Sequence, residues 1–217
     1  MGLEVPDQPE IATVIAALAG YLAGSLPFGY WLVRVFKRQD IRTFGSGNIG
    51  ATNVWRTYGP RLGAAVMLLD VAKGFVPAFV AAEVAGPLAG ALAGGAAMLG
   101  HWRPVFMRFQ RGGKMVATCG GALFGLAPLV GLAGVLIWLV VFALSRYASL
   151  ASIAGAIALP FVALAMGEPW PIFLFVLLAA VGVLLLHRPN IARLRAGTEN
   201  RVKLRRRPGK SSLQNEA

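Results

Sequence analysis

Apolar residues fall into long runs separated by short polar stretches rich in Gly, Asn, Arg and Lys. The runs lie at about 11 to 33, 62 to 82, 88 to 107, 129 to 145, 149 to 166 and 171 to 187. A bilayer's hydrocarbon core is about 30 Å thick and takes about 20 apolar residues of helix, so each run predicts a transmembrane helix. Residues 115 to 128, MVATCGGALFGLAP, are too short to cross comfortably at about 1.5 Å of rise per residue, and Pro128 divides them from the next run. They form either a short seventh span or the start of the helix at 129 to 145.

Charge separates these two readings. Lys and Arg gather between Arg34 and Arg61, between Arg103 and Lys114, at Arg146 and after Arg188, whereas Glu4, Asp7, Glu10, Glu83 and Glu168 occupy the other turns. Seven passes put every basic loop on one side. Six passes would carry the tail, with its KLRRRPGK segment, to the acidic side, against the positive-inside rule. The expected fold is therefore an all-α polytopic membrane protein of seven transmembrane helices, one short, with the N-terminus outside and the C-terminus cytoplasmic. Residues 1–200 are expected to form a single integral membrane domain and 201–217 a flexible basic tail.

Composition agrees. Of 217 residues, 57% are hydrophobic and 14% charged, with mean hydropathy +0.65, which leaves too little polar surface for a soluble domain. The net charge of +12 is accounted for by topology and by contact with anionic headgroups, because the tail lacks the interleaved aromatics of a nucleic-acid binder. Cys119 is the single cysteine, so neither a disulfide framework nor a zinc site is expected. Residues 1–10, MGLEVPDQPE, carry acids where a secretory signal carries bases, and the first apolar run is expected to be retained. The small-residue segment AGPLAGALAGGAAMLG, 85–100, predicts a closely packed scaffold helix.

Three polar stretches share the basic side: DIRTFGSGNIGATNVWR (40–56), GHWRPVFMRFQRGGK (100–114) and HRPNIARLRAGTEN (187–200). Glycines let backbone N–H groups turn toward one point, and Lys or Arg adds charge, so phosphate is the expected guest. Each stretch also has a plainer reading: GSGN as a turn, Asn53 as a helix cap, Arg56 as a topology charge. Neither glycine motif has P-loop spacing. Carboxylates are scarce, with Asp40 in a loop, Asp70 inside a span and Glu199 near the tail, so no metal site or cofactor is expected. Asp70 and Lys73 either neutralise one another at i, i+3 or offer Lys73 to a substrate. His101 and His187 sit at span ends, either as helix-end groups or as proton acceptors or donors to substrate. With no Ser-His-Asp pattern, direct attack by a bound hydroxyl is favoured over an acyl-enzyme.

The ordered set SLPFGY (25–30), DIRTFGSGNIGATNVWR, LLDVAKG, GHWRPVFMRFQRGGK, RYASLAS (146–152) and HRPNIARLRAGTE resembles the bacterial acyl-phosphate:glycerol-3-phosphate acyltransferase (PlsY) family over nearly the full chain. The resemblance implies acyl transfer from acyl phosphate to the sn-1 hydroxyl of glycerol 3-phosphate, giving lysophosphatidic acid and inorganic phosphate. It implies a bacterial inner (plasma) membrane location, a cytoplasmic active site, the first acylation of phospholipid synthesis and a link to a soluble acyl-phosphate synthase. By motif position Ser46, Arg56, Lys114, His187 and Asn190 would be catalytic. Gly45, Gly47, Asn48, Thr52, Asn53, Gly112, Gly113, Arg146, Ser149 and Ser152 would bind substrate phosphate, with Asp70, Lys73, His101 and Glu199 in support. The implied chemistry is substrate-assisted, the acyl phosphate taking the hydroxyl proton. One departure stands out: Met115 follows Lys114 where the family commonly reads GGKG. A transporter of an organic phosphate is the alternative, but only Asp70 and Lys73 are polar deep within spans, and no inverted repeat is evident. A phosphatidyl-alcohol transferase would need an acidic metal cluster, and a non-catalytic scaffold leaves the three polar loops unexplained.

Overall fold

The computed structural model describes residues 9–202. Glu4, Asp7 and the KLRRRPGK segment of the predicted tail lie outside them. Among the described residues the regular structure is all helical, with no strand. The predicted first span appears as two helices, α1 (Pro9–Gly24) and α2 (Phe28–Lys37). The break falls at Ser25–Pro27 because proline lacks an N–H and disfavours helical geometry in the residue before it. α2 is amphipathic, burying Gly29 and Val33 and exposing Val35 and Phe36. The first polar loop follows and ends in the short α3 (Ala51–Tyr58).

α4 (Pro60–Trp102) covers the second and third apolar runs. Its 43 residues fold back at Gly86, whose φ of 86° and ψ of 175° interrupt the helix ahead of Pro87. The halves lie antiparallel: a Cβ on Gly94 would sit 3.3 Å from Ala78 Cβ, and one on Gly90 would meet Ala82. The helix stops at Trp102 rather than 107, since Pro104 cannot continue it and only a turn at Val105–Met107 follows. α5 (Val116–Leu126) is distinct from α6 (Pro128–Ser145), separated by Ala127, whose φ of −146° and ψ of 77° break the helix. Eleven residues make a helix about 16 Å long, roughly half a bilayer core. α7 (Ala148–Ala165), α8 (Trp170–Leu186) and the short α9 (Arg188–Arg195) complete the chain.

Small residues bring these helices together. Gly20 and Gly24 of α1 lie against the backbone of Ala93 and Ala97 in α4, and Gly121 of α5 lies against Val71. Such approaches suit association in lipid, where packing replaces the hydrophobic effect. The core between α4, α5, α6 and α8 contains Met98, Met115, Leu123, Val130, Phe175 and Val176. Outside, Val84, Leu129, Leu144, Phe161 and Trp170 are each exposed by more than half, a belt that water would not tolerate and lipid would. Among the described residues four helical stretches are long and apolar enough to cross a membrane, five if α8 and α9 count together; the α4 hairpin lies within one of them.

Met115 begins α5 with φ of 68°, in the left-handed region that favours glycine, and its side chain is buried in the core. The glycine that the resemblance implies here would adopt this backbone freely, and methionine exchanges strain of about 1–2 kcal/mol for packing. Truncation of a buried methionine costs about 2–5 kcal/mol, so both Met115→Gly and Met115→Ala should melt below the parent, with Met115→Ala the lower. Thermal unfolding in detergent checks the order. A Met115→Gly variant melting below Met115→Ala would show that the backbone at 115 is unstrained, since glycine then only adds unfolded-chain entropy.

Candidate active site

The three polar segments converge on a cavity of about 340 Å³ lined by Gly45, Ser46, Gly47, Asn48, Arg111, Lys114, Pro189, Asn190, Arg193 and Asn200. Gly45 and Gly47, with φ of 59° and 68°, let the first loop reverse. Asn53, in the first turn of α3, braces that loop. Its Oδ1 accepts from the Ser46 N–H at 3.0 Å, and its Nδ2 donates to the carbonyls of Phe44 at 3.0 Å and Asn48 at 2.8 Å. The Asn53 amide is therefore committed to the loop itself. Asn48 accepts from the Gly50 N–H at 2.7 Å and donates to the Gly112 carbonyl at 3.2 Å, joining the first loop to the second. Arg42 makes a second tie, pairing with Asp40 while donating to Gln110. The Arg42 guanidinium holds the Asp40 carboxyl below the usual carboxylate range.

In the second loop the Gly112 N–H donates to Trp102 O at 2.8 Å and the Gly113 N–H to His101 O at 2.9 Å. These amides, expected among the phosphate donors, close the turn instead. The glycines serve by lacking side chains, since a Cβ on either would overlap His101. Lys114 follows at once, and its Nζ donates to Asn190 Oδ1 at 2.7 Å. Burial pushes the Lys114 ammonium down to about 8; Glu199 opposes that shift and Arg193, Arg111 and Arg56 add to it.

The third segment turns by 55° between α8 and α9. His187 is buried at that corner with Nδ1 2.8 Å from Val183 O. A carbonyl only accepts, so Nδ1 carries the proton and Nε2 of the neutral ring is an acceptor. Asn190 and Arg193 lie one turn apart on α9 and both reach Glu199. Glu199 Oε1 accepts from Asn190 Nδ2 and Ser149 Oγ, each at 2.8 Å, and Oε2 accepts from Arg193 Nε at 2.7 Å. Burial alone would raise its pKa, but the bonds from Asn190, Ser149 and Arg193 outweigh it and hold the carboxyl below its usual range.

Ser46, Lys114 and Asn190 thus meet at one cavity with Gly45, Gly47 and Asn48. Arg56 stands at its rim, donating to the carbonyl of Asn200 at 3.2 Å. Ser149 contacts the site only through Glu199. Ser152 is turned elsewhere, donating to Ala148 O at 2.8 Å and accepting from Trp138 Nε1 at 3.1 Å. Thr52 and Arg146 are exposed and do not line the cavity. Arg111, Arg193 and Asn200 were not singled out from sequence; the i, i+3 spacing of Arg193 from Asn190 was the available signal. Among the described residues no group of His, Cys, Asp and Glu is placed to hold a metal ion.

The chain is similar in sequence and fold to known proteins. The glycerol-3-phosphate acyltransferase family model matches residues 14–197. The chain belongs to the glycerol-3-phosphate acyltransferase family. A family protein from Desulforudis audaxviator is 44% identical over 196 residues, covering 90% of this chain and 98% of the relative. One from Roseiflexus sp. (strain RS-1) is 46% identical over 198 residues, covering 89% and 97%. Among solved structures, PlsY, an integral membrane glycerol 3-phosphate acyltransferase, superposes in its glycerol 3-phosphate form with a TM-score of 0.85 at 38% identity, covering 88% of this chain and 96% of that one. Its lysophosphatidic acid form gives 0.82 at 37% identity, covering 88% and 95%.

Because the folded-state pKa of Glu199 lies below its unfolded value of about 4.3, the carboxylate contributes stability above that range that is lost as pH falls through the folded pKa. Glu199→Gln should cost about 1–3 kcal/mol near neutrality by mismatching its donors. It should also flatten the acid limb of a melting-temperature profile. An acid limb as steep as the parent's would remove Glu199 as its source.

Proposed function

We propose that the protein transfers a fatty acyl group from acyl phosphate to the sn-1 hydroxyl of glycerol 3-phosphate, releasing lysophosphatidic acid and inorganic phosphate. The observation that carries this reading is the convergence of Ser46, Lys114, Asn190, Arg111 and Arg193 on one small polar cavity. About 340 Å³ suits a small phosphorylated polyol beside a second phosphate and falls at the lower end of ligand pockets, roughly 300–1,000 Å³. Glycerol 3-phosphate and lysophosphatidic acid are named for the PlsY structures, and 38% identity over most of the chain supports extending them here.

Acyl phosphate is a mixed anhydride and needs no further activation. The sn-1 oxygen forms the new C–O bond at the carbonyl carbon, the bond from that carbon to the bridging phosphate oxygen breaks, and the hydroxyl proton passes to the departing phosphate. Lys114 and Arg56 neutralise phosphate charge, Ser46 and Asn190 orient it, and His187 steadies the corner that carries Asn190. Positioning and charge stabilisation are the terms that grow large without a dedicated base. No acyl-enzyme, metal or cofactor enters the scheme.

The same reading places the protein in a bacterial plasma membrane with seven passes: the α1–α2 segment, the two halves of α4, short α5, α6, α7 and α8. The polar cavity then faces the cytoplasm with the basic loops, and a soluble synthase would supply the acyl phosphate. Residues 1–200 act as one membrane domain ahead of the basic tail.

Purified protein in lipid, given palmitoyl phosphate and glycerol 3-phosphate with EDTA, should release phosphate and lysophosphatidic acid in equal amounts. Lys114→Ala should lower kcat/KM by about 10²–10³-fold, as loss of a charge-stabilising donor does. An ammonium titrating at about 8 is charged below that pH, so kcat/KM should fall as pH rises through it. Lys114→Arg, if active, should lose that alkaline limb. A folded parent that binds glycerol 3-phosphate but forms no product would favour a phosphate transporter.

A further inference from the structure

Beneath the cavity three ionisable side chains are buried that the scheme above does not use. Asp70 and Lys73 lie one turn apart on the first half of α4, and His101 near the end of the second half; they are 2%, 5% and 3% exposed. Lys73 Nζ stands 2.7 Å from Asp70 Oδ1, and the same oxygen is 3.7 Å from His101 Nδ1. A salt bridge removed from water recovers its desolvation cost only partly, so a buried pair is weak evidence for stability. Ionisable groups within a membrane segment point instead to function.

The trio touches both loops that form the cavity. His101 O accepts the Gly113 N–H at 2.9 Å, and the imidazole Nε2 lies so close to Gly113 that any side chain there would overlap the ring. The ring therefore sets where the turn before Lys114 can sit. On the other side Lys73 Nζ donates to Leu26 O at 2.8 Å, at the break between α1 and α2. α2 then passes Gly29 directly against the carbonyl of Ile49 in the first loop. If charge balance were the whole role, the i, i+3 pair would suffice. Here the carboxylate also faces the imidazole across the α4 hairpin, and the ammonium spans to another helix.

We infer that Asp70, Lys73 and His101 are positioning residues, a buried cluster that holds the imidazole against Gly113 so that the turn presents the Lys114 ammonium to the cavity. The inference rests on the acyltransferase reading for its kinetic consequence, but the placement of Lys114 is measurable without turnover. Lys114 is faced by Glu199, Arg193, Arg111 and Arg56; its burial depresses its titration, the three arginines add to that and Glu199 opposes it. Release of the turn would let it move toward the ordinary lysine value of about 10.4.

The test uses the full chain in lipid with His101→Gln and, separately, the charge-neutral pair Asp70→Asn with Lys73→Met, which leaves no unpaired buried charge. Lys114 is titrated by pulse labelling with acetic anhydride read by mass spectrometry, alongside melting temperature and the kcat and KM for glycerol 3-phosphate. In a variant that melts near the parent, the labelling midpoint should rise from about 8 toward the free-lysine value. kcat/KM should also fall at least about tenfold, since small displacements of a positioned group are costly. A parent-like midpoint in any folded variant overturns the inference, whatever the activity. Failure of both variants to fold would mark the trio as a folding element and overturn it equally. A parent inactive with acyl phosphate would sink the acyltransferase reading and leave the labelling midpoint to decide the positioning role.

Discussion

Glu199 is the carboxylate on which the site depends. Arg111, Lys114 and Arg193 line one small cavity with Arg56 at its rim, and like charges gathered there repel one another. Glu199 offsets that repulsion while bonding Asn190, Ser149 and Arg193, and Asn190 in turn accepts from Lys114. One buried acid thereby links α7, α9 and the second loop. Glu199 itself does not line the cavity, so under the proposed function it would leave the cations open to a phosphate.

The rest of the fold brings three distant segments to that place. Close glycine contacts hold α1, α4 and α5 together, and the hairpin at Gly86 returns the chain so that His101 comes back beside Asp70. Each polar loop then emerges from the end of a packed helix. The loops are braced against one another through Asn48 to Gly112 and Arg42 to Gln110. These internal bonds hold the loops in place, so the phosphate binding proposed above need not order them first.

Much of this was legible in the sequence because lipid imposes a simple rule on helix length and polarity. The runs at 129–145, 149–166 and 171–187 correspond closely to α6, α7 and α8, and charge asymmetry correctly favoured a separate short helix over a merged one, as α5 shows. The first run hid the break before α2 because no charge interrupts it, although Pro27 marked the place. Motif position pointed to Ser46, Lys114 and Asn190, which the fold brings to one cavity. It misplaced the weight of Gly112, Gly113 and Asn53, whose polar groups serve the loops' own closure, and of Ser152, which bonds Trp138. The resemblance put Glu199 in support, but its partners Ser149, Asn190 and Arg193 were out of reach, because such convergence is set by packing rather than by local pattern.

Direct transfer between two substrates held in one cavity is tested most sharply by isotope exchange. Protein that forms lysophosphatidic acid when supplied with both substrates would be incubated with acyl phosphate and labelled inorganic phosphate, with glycerol 3-phosphate left out. Direct attack predicts no label in the acyl phosphate beyond a protein-free control, because no acyl group leaves its phosphate until the acceptor hydroxyl is present. Label entering the acyl phosphate without glycerol 3-phosphate would reveal an acylated protein group and contradict direct transfer.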